Sequence, residues 1–355
     1  MRRVAGVELV ALALLATTAP AFAQQNEPKS FRDWLAGCDN VKSCTAVSLP
    51  AEAADTVGYL KLERPAGEAG KPVLTLRLRP DEAKPPYAVK LSVDGAAFPA
   101  DGRAVAATKA EDDSLSFAFS PEQTDALVSA ARKATKLTAT FAGKRYDISL
   151  AGSVAAMLWI DERQGRLNTA SALIRKGNGG PAPAAPALPV IEAQASDRPV
   201  LSDKDAKSLA ASLRRALKPA DRKDCDDERA TDADQAWPLR DNRHLVALAC
   251  SVGAYNVDAQ LWLVPGRDVA KARKLDLKSG GGEDGGGVTN ADFEPAKGEL
   301  RYFAKGRGIG DCGVVGAYAW TGTGFVRSAL SIMGECRMIG WDDWITLYRS
   351  EVRAK

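Results

Sequence analysis

Apolar and polar residues alternate along several short segments in the first half of the chain. In segment 73–79, Leu74, Leu76 and Leu78 fall on one face, and Thr75 falls on the other. Alternation with a period of two is typical of a strand with one buried face. Similar patterns predict further strands at 89–93, 115–119, 137–141 and 146–150.

Helical signals interrupt these strands at a few positions. Ser120 followed by Pro121 is typical of a helix start, because serine caps the first turn and proline is tolerated there. This start predicts an alanine-rich helix to about residue 135, and a second helix is predicted over 153–163. In the second half, Ser202 caps a predicted helix that runs to about residue 217.

The rest of the second half is rich in β-branched and aromatic residues separated by glycine-containing turns. This composition is typical of antiparallel strands joined by hairpins. The whole pattern predicts an α+β protein of two domains, each a mainly antiparallel β-sheet with one or two flanking helices. The strands predicted in the second half lie at 245–250, 260–264, 300–304, 316–320 and 325–330.

A stretch rich in glycine, proline and alanine separates the two halves. Within residues 176–200, Gly177-Asn178-Gly179-Gly180 is followed by closely spaced prolines. Such a composition favours an extended, semi-rigid spacer. We therefore predict an N-terminal domain over 24–175 and a C-terminal, β-rich domain over 201–355.

The N-terminus has the pattern of an export signal. Two arginines precede an apolar run at 9–15, and Ala21-Phe22-Ala23 matches the small-x-small pattern that signal peptidase cuts. We expect residues 1–23 to be removed and the mature protein to reside in the periplasm. No later segment approaches the about 20 apolar residues that a membrane-spanning helix needs, so no span is expected.

The chain has six cysteines, an even number, which in an exported protein predicts three disulfides. The four cysteines of the second domain allow three pairings. We favour the pairing in which each bond closes a local loop. The expected bonds are Cys38 with Cys44, Cys225 with Cys250, and Cys312 with Cys336.

Charge and histidine content exclude several classes of function. The formal net charge of the chain is only +3, and its basic residues are not concentrated in one run. Nucleic-acid binding needs a local excess of Lys and Arg, so no nucleic-acid partner is expected. His244 is the only histidine, which narrows the choice of hydrolase triads and histidine-based zinc sites. We expect no catalytic set, no cofactor and no metal.

Two motifs that could carry chemistry have simpler explanations. Residues 308–313 spell G-x-G-x-x-G, but a predicted strand follows where a dinucleotide loop needs a helix. Cys312 could form a nucleophilic pair with His244, although a structural disulfide is favoured. The acidic stretch 224–234 and segment 280–284 could bind calcium, but neither matches a complete calcium motif.

The most distinctive residues for a binding surface lie near the C-terminus. A basic, glycine-rich loop at 305–313 is followed by an acidic, tryptophan-containing segment. Aromatic and charged side chains in such loops commonly form contact surfaces. The candidate binding residues are Lys305, Arg307, Asp311, Trp341 and Trp344.

Several segments together resemble a known family. The most specific is Lys-Gly-Arg-Gly-Ile-Gly-Asp-Cys-Gly at 305–313, accompanied by segments 31–34, 158–166 and 253–256. This set is similar to DUF1176, a family of exported proteobacterial proteins known only as a domain of unknown function. The opening Phe-x-Asp-Trp-x-x-x-Cys also resembles the invasion-associated locus B proteins over about the first domain. The DUF1176 resemblance implies a periplasmic location and a two-part layout, but no reaction.

Two hypotheses for function follow. The first is a non-enzymatic envelope module that binds another protein or a polymer. The alternative is an envelope hydrolase that uses carboxylates near loop 305–313, with Asp311, or Asp161 and Glu162, as the acidic groups and Arg307 as an anion clamp. The two differ in whether carboxylates converge in one pocket.

Overall fold

The computed structural model describes residues 27–223, 225, 227–275, 277 and 287–355. The expected signal peptide at 1–23, residues Asp224 and Asp226, and segment 280–284 lie outside the described residues. The described chain consists mainly of antiparallel strands with few helices, so the predicted α+β class is confirmed.

The first half contains twelve strands in its described residues. Their bounds are β1 (Lys29–Phe31), β2 (Trp34–Cys38), β3 (Cys44–Ser48), β4 (Val57–Arg64), β5 (Val73–Arg79), β6 (Ala88–Val93), β7 (Ala96–Phe98), β8 (Val105–Ala106), β9 (Thr108–Lys109), β10 (Leu115–Ala118), β11 (Lys136–Phe141) and β12 (Lys144–Ser149). In spatial order, β1-β2-β3-β4-β5-β10-β9 form one antiparallel sheet, and β12-β11-β6-β7, with β8 beside β6, form a second.

Two helices close the core of this half, α1 (Pro121–Ala130) and α2 (Ser153–Arg163). Leu127 of α1 and Ile160 of α2 are buried in the same cluster as the apolar face of β5. Helix α1 ends five residues before the predicted limit, because the chain must turn to start β11. The Asp94 carboxylate accepts hydrogen bonds from the backbone N–H groups of Thr135 and Lys136 and stabilises this turn.

The second half contains two helices and twelve strands in its described residues. The helices are α3 (Asp203–Ala216) and α4 (Pro219–Lys223). The strands are β13 (Val190–Ala193), β14 (Gln235–Leu239), β15 (Arg243–Val252), β16 (Val257–Pro265), β17 (Arg273–Leu275), β18 (Gly287–Thr289), β19 (Asp292–Glu294), β20 (Glu299–Lys305), β21 (Gly313–Trp320), β22 (Phe325–Met333), β23 (Ile345–Arg349) and β24 (Glu351–Ala354).

These strands form two antiparallel sheets and one parallel pair. The order in the first sheet is β14-β15-β16-β17, with β18 beside β16, and the order in the second is β19-β20-β21-β22-β23. Helix α3 covers the first of these sheets, where its Leu209 and Leu213 pack in one cluster with Trp262. Helix α3 was predicted from the helical spacing of these leucines, and strand β16 was predicted from the apolar run that contains Trp262.

The glycine-, proline- and alanine-rich stretch is partly built into the fold. Strand β13 pairs in parallel with the C-terminal strand β24, and Ile191 and Ala193 are buried. The backbone N–H of Ala182 donates to the Glu68 carboxylate. We still propose 176–200 as the linker between domains 24–175 and 201–355, with its C-terminal part held on the second half.

A third apolar core joins the two halves. Strand β23 lies against β2 and β3. A side chain at Gly37 would place its Cβ 2.4 Å from the Ile345 side chain, so glycine permits this close approach. Buried members of the shared core are Leu35, Val47, Tyr59, Cys312, Leu330, Met333, Ile339, Trp344, Ile345 and Leu347.

Three disulfides staple the fold, and they are the three local pairs that we favoured: Cys38–Cys44, Cys225–Cys250 and Cys312–Cys336. None of the six cysteines is a free thiol. Cys312 therefore has no thiolate to offer as a nucleophile in this state. Among the described helices, none combines the length and apolarity needed to cross a bilayer.

Candidate binding cleft

Loop 305–313 connects β20 to β21, and its glycines are required by close approaches of the backbone. A Cβ on Gly306 would lie 2.7 Å from the Cys312 Sγ, and one on Gly313 would lie 2.1 Å from the Ala304 carbonyl oxygen. Gly310 has a φ of +68°, which L-residues with side chains rarely adopt. The repeated glycines therefore specify one compact loop conformation next to a disulfide.

A second segment of the family pattern holds this loop in place. The Asn256 amide group donates to the Lys305 carbonyl oxygen (2.9 Å) and accepts from the Lys305 N–H (3.1 Å). The Tyr255 hydroxyl donates to the Gly306 carbonyl oxygen (3.2 Å). Segments 253–256 and 305–313, both part of the resemblance, thus contact one another and form a single structural unit.

Arg307 and Asp311 form an ion pair across the loop. The Arg307 Nε donates to Asp311 Oδ1 (2.7 Å), and the Met338 N–H donates to Asp311 Oδ2 (2.6 Å). Burial alone would raise the pKa of the Asp311 carboxyl, but the hydrogen bonds from Arg307 and Met338 and the charge of Arg307 outweigh it. The pKa of Asp311 is held below its usual range. Arg307 also donates to the Cys336 carbonyl oxygen (3.2 Å), so it links the loop to the segment between β22 and β23.

The remaining candidates occupy different environments. Trp344 is only 2% exposed, packs edge-on against Phe303 and donates from Nε1 to the Ile339 carbonyl oxygen. Trp344 therefore belongs to the buried core and is not available to a partner. The ammonium group of Lys305 lies over the Phe303 ring. Trp341, in contrast to Trp344, is 60% exposed. Only Trp341 among the candidate tryptophans can contact a partner directly.

Asp311 and Trp341 line one cleft of about 760 Å³ between the two halves. We call it the Trp341 cleft. Strand β5 and the loop before β10 supply one wall, and loop 305–313 and the segment before β23 supply the other. Its lining residues are Arg77, Arg79, Ala110, Glu111, Asp112, Ile309, Gly310, Asp311, Ile339, Gly340, Trp341, Asp342 and Asp343.

A buried carboxylate joins the two walls at the base of this cleft. Asp343 accepts a hydrogen bond from the Tyr59 hydroxyl (2.8 Å) and forms ion pairs with Lys61 (3.2 Å) and Arg77 (3.1 Å). Burial, followed by the charge and hydrogen bond of Asp343, raises the pKa of Tyr59 far above its usual range. Tyr59 therefore remains a neutral hydrogen-bond donor. The contacts of Asp343 with Tyr59, Lys61 and Arg77 fix the position of one wall relative to the other.

Ile309 is the feature of the cleft that sequence reasoning missed. It lies between two glycines at the tip of the loop, and its side chain is 65% exposed. A lone exposed aliphatic residue is common on protein surfaces, so nothing in the sequence singled out Ile309, and only its position with Trp341 on one cleft marks it as a contact candidate. Arg77, Arg79 and Asp112 were also missed, because their strand and loop come from the other half of the chain.

The carboxylates of the hydrolase hypothesis are not all in the cleft. Asp161 is fully buried, pairs with Arg64 (3.3 Å) and accepts from the Leu173 and Ile174 backbone N–H groups. Glu162 is exposed on α2. Asp161 thus stabilises the first core, while Asp311 lines the Trp341 cleft.

Two further groups of potential ligands have other roles. Oxygen and sulfur atoms of Asp311, Cys312 and Cys336 lie within 4.8 Å of one another, but the two sulfurs are bonded to each other. They offer no thiolate to a metal. His244 is 3% exposed, and its Nδ1 lies 2.6 Å from the Gly266 carbonyl oxygen. Burial lowers the pKa of His244, so it is a neutral, packed histidine.

Comparisons with known proteins agree with the resemblance found in the sequence. Residues 28–351 match the family described as "Protein of unknown function (DUF1176)". The chain is also 30% identical over 215 residues to the "Uncharacterized protein YpfG" of Escherichia coli (strain K12). That alignment spans 57% of this chain and 59% of the relative. No solved structure matches the chain.

Proposed function

This chain belongs to the DUF1176 family of proteins of unknown function, and we propose that it is an exported, non-enzymatic binding module of the bacterial cell envelope. The observation that carries the proposal is the pair Ile309 and Trp341. Both are large apolar residues that are more than half exposed on the same cleft. Exposed apolar side chains beside a rigid cleft are typical of an interaction site.

The support for the two side chains extends this argument. Loop 305–313 is held by glycine packing, a disulfide and the hydrogen bonds of Asn256, so Ile309 is presented on a rigid base. A rigid surface loses little conformational entropy on binding, which favours affinity. Ile309 is therefore held in an exposed position by a rigid loop, although it is not part of the buried core.

The proposed location is supported by the disulfides and by the sequence. Disulfides persist in the periplasm and outside the cell and are rare in the reducing cytoplasm. The predicted signal peptide at 1–23 agrees with the same compartment. We therefore propose the periplasm as the site of action, with an envelope protein or polymer as the partner.

An envelope hydrolase remains the second candidate, favoured by one observation. Asp311 and Asp343 are both carboxylates on the Trp341 cleft. A general acid needs a pKa raised toward neutrality, whereas the pKa of Asp311 is lowered. We therefore place binding first. Release of soluble fragments from isolated cell-wall polymer by the native protein, but not by Asp311→Asn, would reverse this order.

The binding proposal is tested by site-specific photo-cross-linking in living cells. A photoreactive residue at position 309 should give an adduct with a partner, and the same residue at position 326 should not. Val326 is the matched control because it is exposed on β22 and does not line the cleft. Adding Trp341→Ala should reduce the adduct strongly, since a central aromatic residue contributes about 2 kcal/mol, or roughly 30-fold in affinity. Equal adducts at 309 and 326 would contradict a specific site.

A further inference from the structure

The Trp341 cleft carries more acidic than basic side chains. Its lining contains two arginines and five carboxylates. The arginines are Arg77 and Arg79; the carboxylates are those of Glu111, Asp112, Asp311, Asp342 and Asp343.

The cations of the lining are already paired within the protein. Arg77 contacts Asp343 (3.1 Å), and Arg79 contacts Asp112 (3.0 Å). Asp311 is paired with Arg307 in the loop. These pairs cancel most of the charge, and they leave neither arginine free to bind an anionic ligand without breaking an existing contact.

Two carboxylates of the lining differ from the other three in their surroundings. Glu111 and Asp342 are exposed, and in the described part of the chain their side chains form no ion pair. Asp342 and the exposed Trp341 both line the cleft, so it offers a negative charge and an aromatic ring to the same ligand. An aromatic face attracts an ammonium or guanidinium group, and carboxylates do the same.

We propose that the cleft binds an extended segment of another envelope protein in which a Lys or Arg stands next to an apolar residue. This inference rests on the proposed binding function and names the chemistry of its partner. Glu111, Asp342 and the Trp341 ring would contact the cation, and Ile309 would contact the apolar residue. Charge complementarity of this kind selects partners and speeds association more than it adds affinity.

Other occupants fit the lining less well. An anionic polymer would be repelled by Glu111 and Asp342, and Arg77 and Arg79 are already engaged by carboxylates. A neutral glycan could stack on Trp341 and donate hydroxyl hydrogen bonds to Glu111 and Asp342, but it has no positive charge to pair with them. These alternatives predict different responses to charge, so one experiment separates them.

The test measures binding of the protein to an array of synthetic hexapeptides. Some positions vary in charge among Lys, Arg, Glu, Asp and Ser, and others vary in apolar size among Leu, Phe and Gly. The intact, disulfide-bonded protein should retain peptides that combine a cation with Leu or Phe. The double variant Glu111→Gln/Asp342→Asn should bind the same peptides about fivefold more weakly, because exposed charge pairs contribute modestly. The matched control Glu162→Gln/Asp203→Asn removes two exposed carboxylates outside the cleft and should bind like the native protein.

The outcomes distinguish this inference from the proposal on which it rests. The proposal of a cationic partner segment would be overturned if the protein retained acidic peptides, if its binding did not depend on peptide charge, or if it retained no peptide. If a cross-linked adduct at position 309 still formed and did not change with Glu111→Gln/Asp342→Asn, the binding function would stand and only the partner chemistry would be wrong. Absence of that adduct would remove both.

Discussion

Trp341 and Trp344 lie three positions apart but have opposite environments. A short 3₁₀ turn, Trp341–Asp343, points the first indole toward the cleft and carries the second into the shared core. In the sequence both tryptophans stand next to aspartates, so local composition does not separate them. Their difference arises because Trp344 packs against the Phe303 ring and donates to the Ile339 carbonyl oxygen in the core, whereas Trp341 stays exposed on the cleft.

The two tryptophans should therefore respond differently to truncation. We expect Trp344→Ala to lower the free energy of unfolding by about 3–5 kcal/mol, because a large buried side chain is lost. Trp341→Ala should change it by less than about 0.5 kcal/mol, as an exposed residue does. Urea unfolding of the two variants provides the measurement. A large loss of stability with Trp341→Ala would show that its exposure in solution differs from that described.

His244 predicts how stability depends on pH. Burial lowers its pKa in the folded protein, while in the unfolded chain the pKa is about 6.5. The unfolded state therefore binds a proton first, and folding stability should fall as the pH decreases from about 6.5 through the lower folded pKa. His244 is the only histidine, so urea unfolding between about pH 7 and pH 5 should isolate its effect. His244→Asn should flatten the decline, and an unchanged slope would contradict this assignment.

Some strands show an alternation of apolar and polar residues in the sequence, and others do not. Strand β5 buries every second residue and was predicted with its observed bounds. Strands β2 and β3 are buried at all of their positions, so they have no alternation to detect. A strand covered on both faces shows only a short mixed run of apolar and small residues. For this physical reason strands β2 and β3 were not recognised.

The attachment of loop 305–313 to Asn256 gives a prediction for that loop. Asn256→Ala leaves the Lys305 N–H and carbonyl oxygen without their partners and should destabilise the protein by about 1–3 kcal/mol. It should also accelerate hydrogen exchange at the Lys305 amide. The matched control is Asn178→Ala, which removes an exposed asparagine far from this loop in sequence. Similar exchange at Lys305 in both variants would show that the loop is held by its disulfide alone.

The two halves of the molecule are joined by both apolar and ionic contacts. Tyr59 and Asp343 are 284 positions apart in sequence, yet they form a hydrogen bond at the base of the cleft. The apolar residues around this contact belong to one cluster that takes members from each half. The cleft therefore exists only when both halves are folded and docked.

Asp343→Asn should destabilise this junction. The change removes the charge that balances Lys61 and Arg77, and breaking such a buried pair costs about 3 kcal/mol. Asp81→Asn is the control, because Asp81 pairs with Lys144 at an exposed position and its loss should have no measurable effect on unfolding. Equal effects of the two substitutions in urea unfolding would contradict a special role for Asp343.

The shared core also predicts the cooperativity of unfolding. Because Leu35 and Val47 are buried partly by residues of the other half, the halves should unfold in one transition. Differential scanning calorimetry should then give equal calorimetric and van't Hoff enthalpies. Two resolved transitions would indicate that domains 24–175 and 201–355 are independent.

Local sequence was sufficient for the features that depend on near neighbours. Periodic strands such as β5, the cap of α1 at Ser120 and the disulfide Cys312–Cys336 each involve residues close along the chain, so their signals survive in the sequence. The Trp341 cleft is different, because its two walls come from segments more than 190 positions apart. Which tryptophan is exposed, and which carboxylates remain unpaired, depends on how those walls meet. That arrangement follows from packing across the whole chain, which periodicity and spacing do not encode.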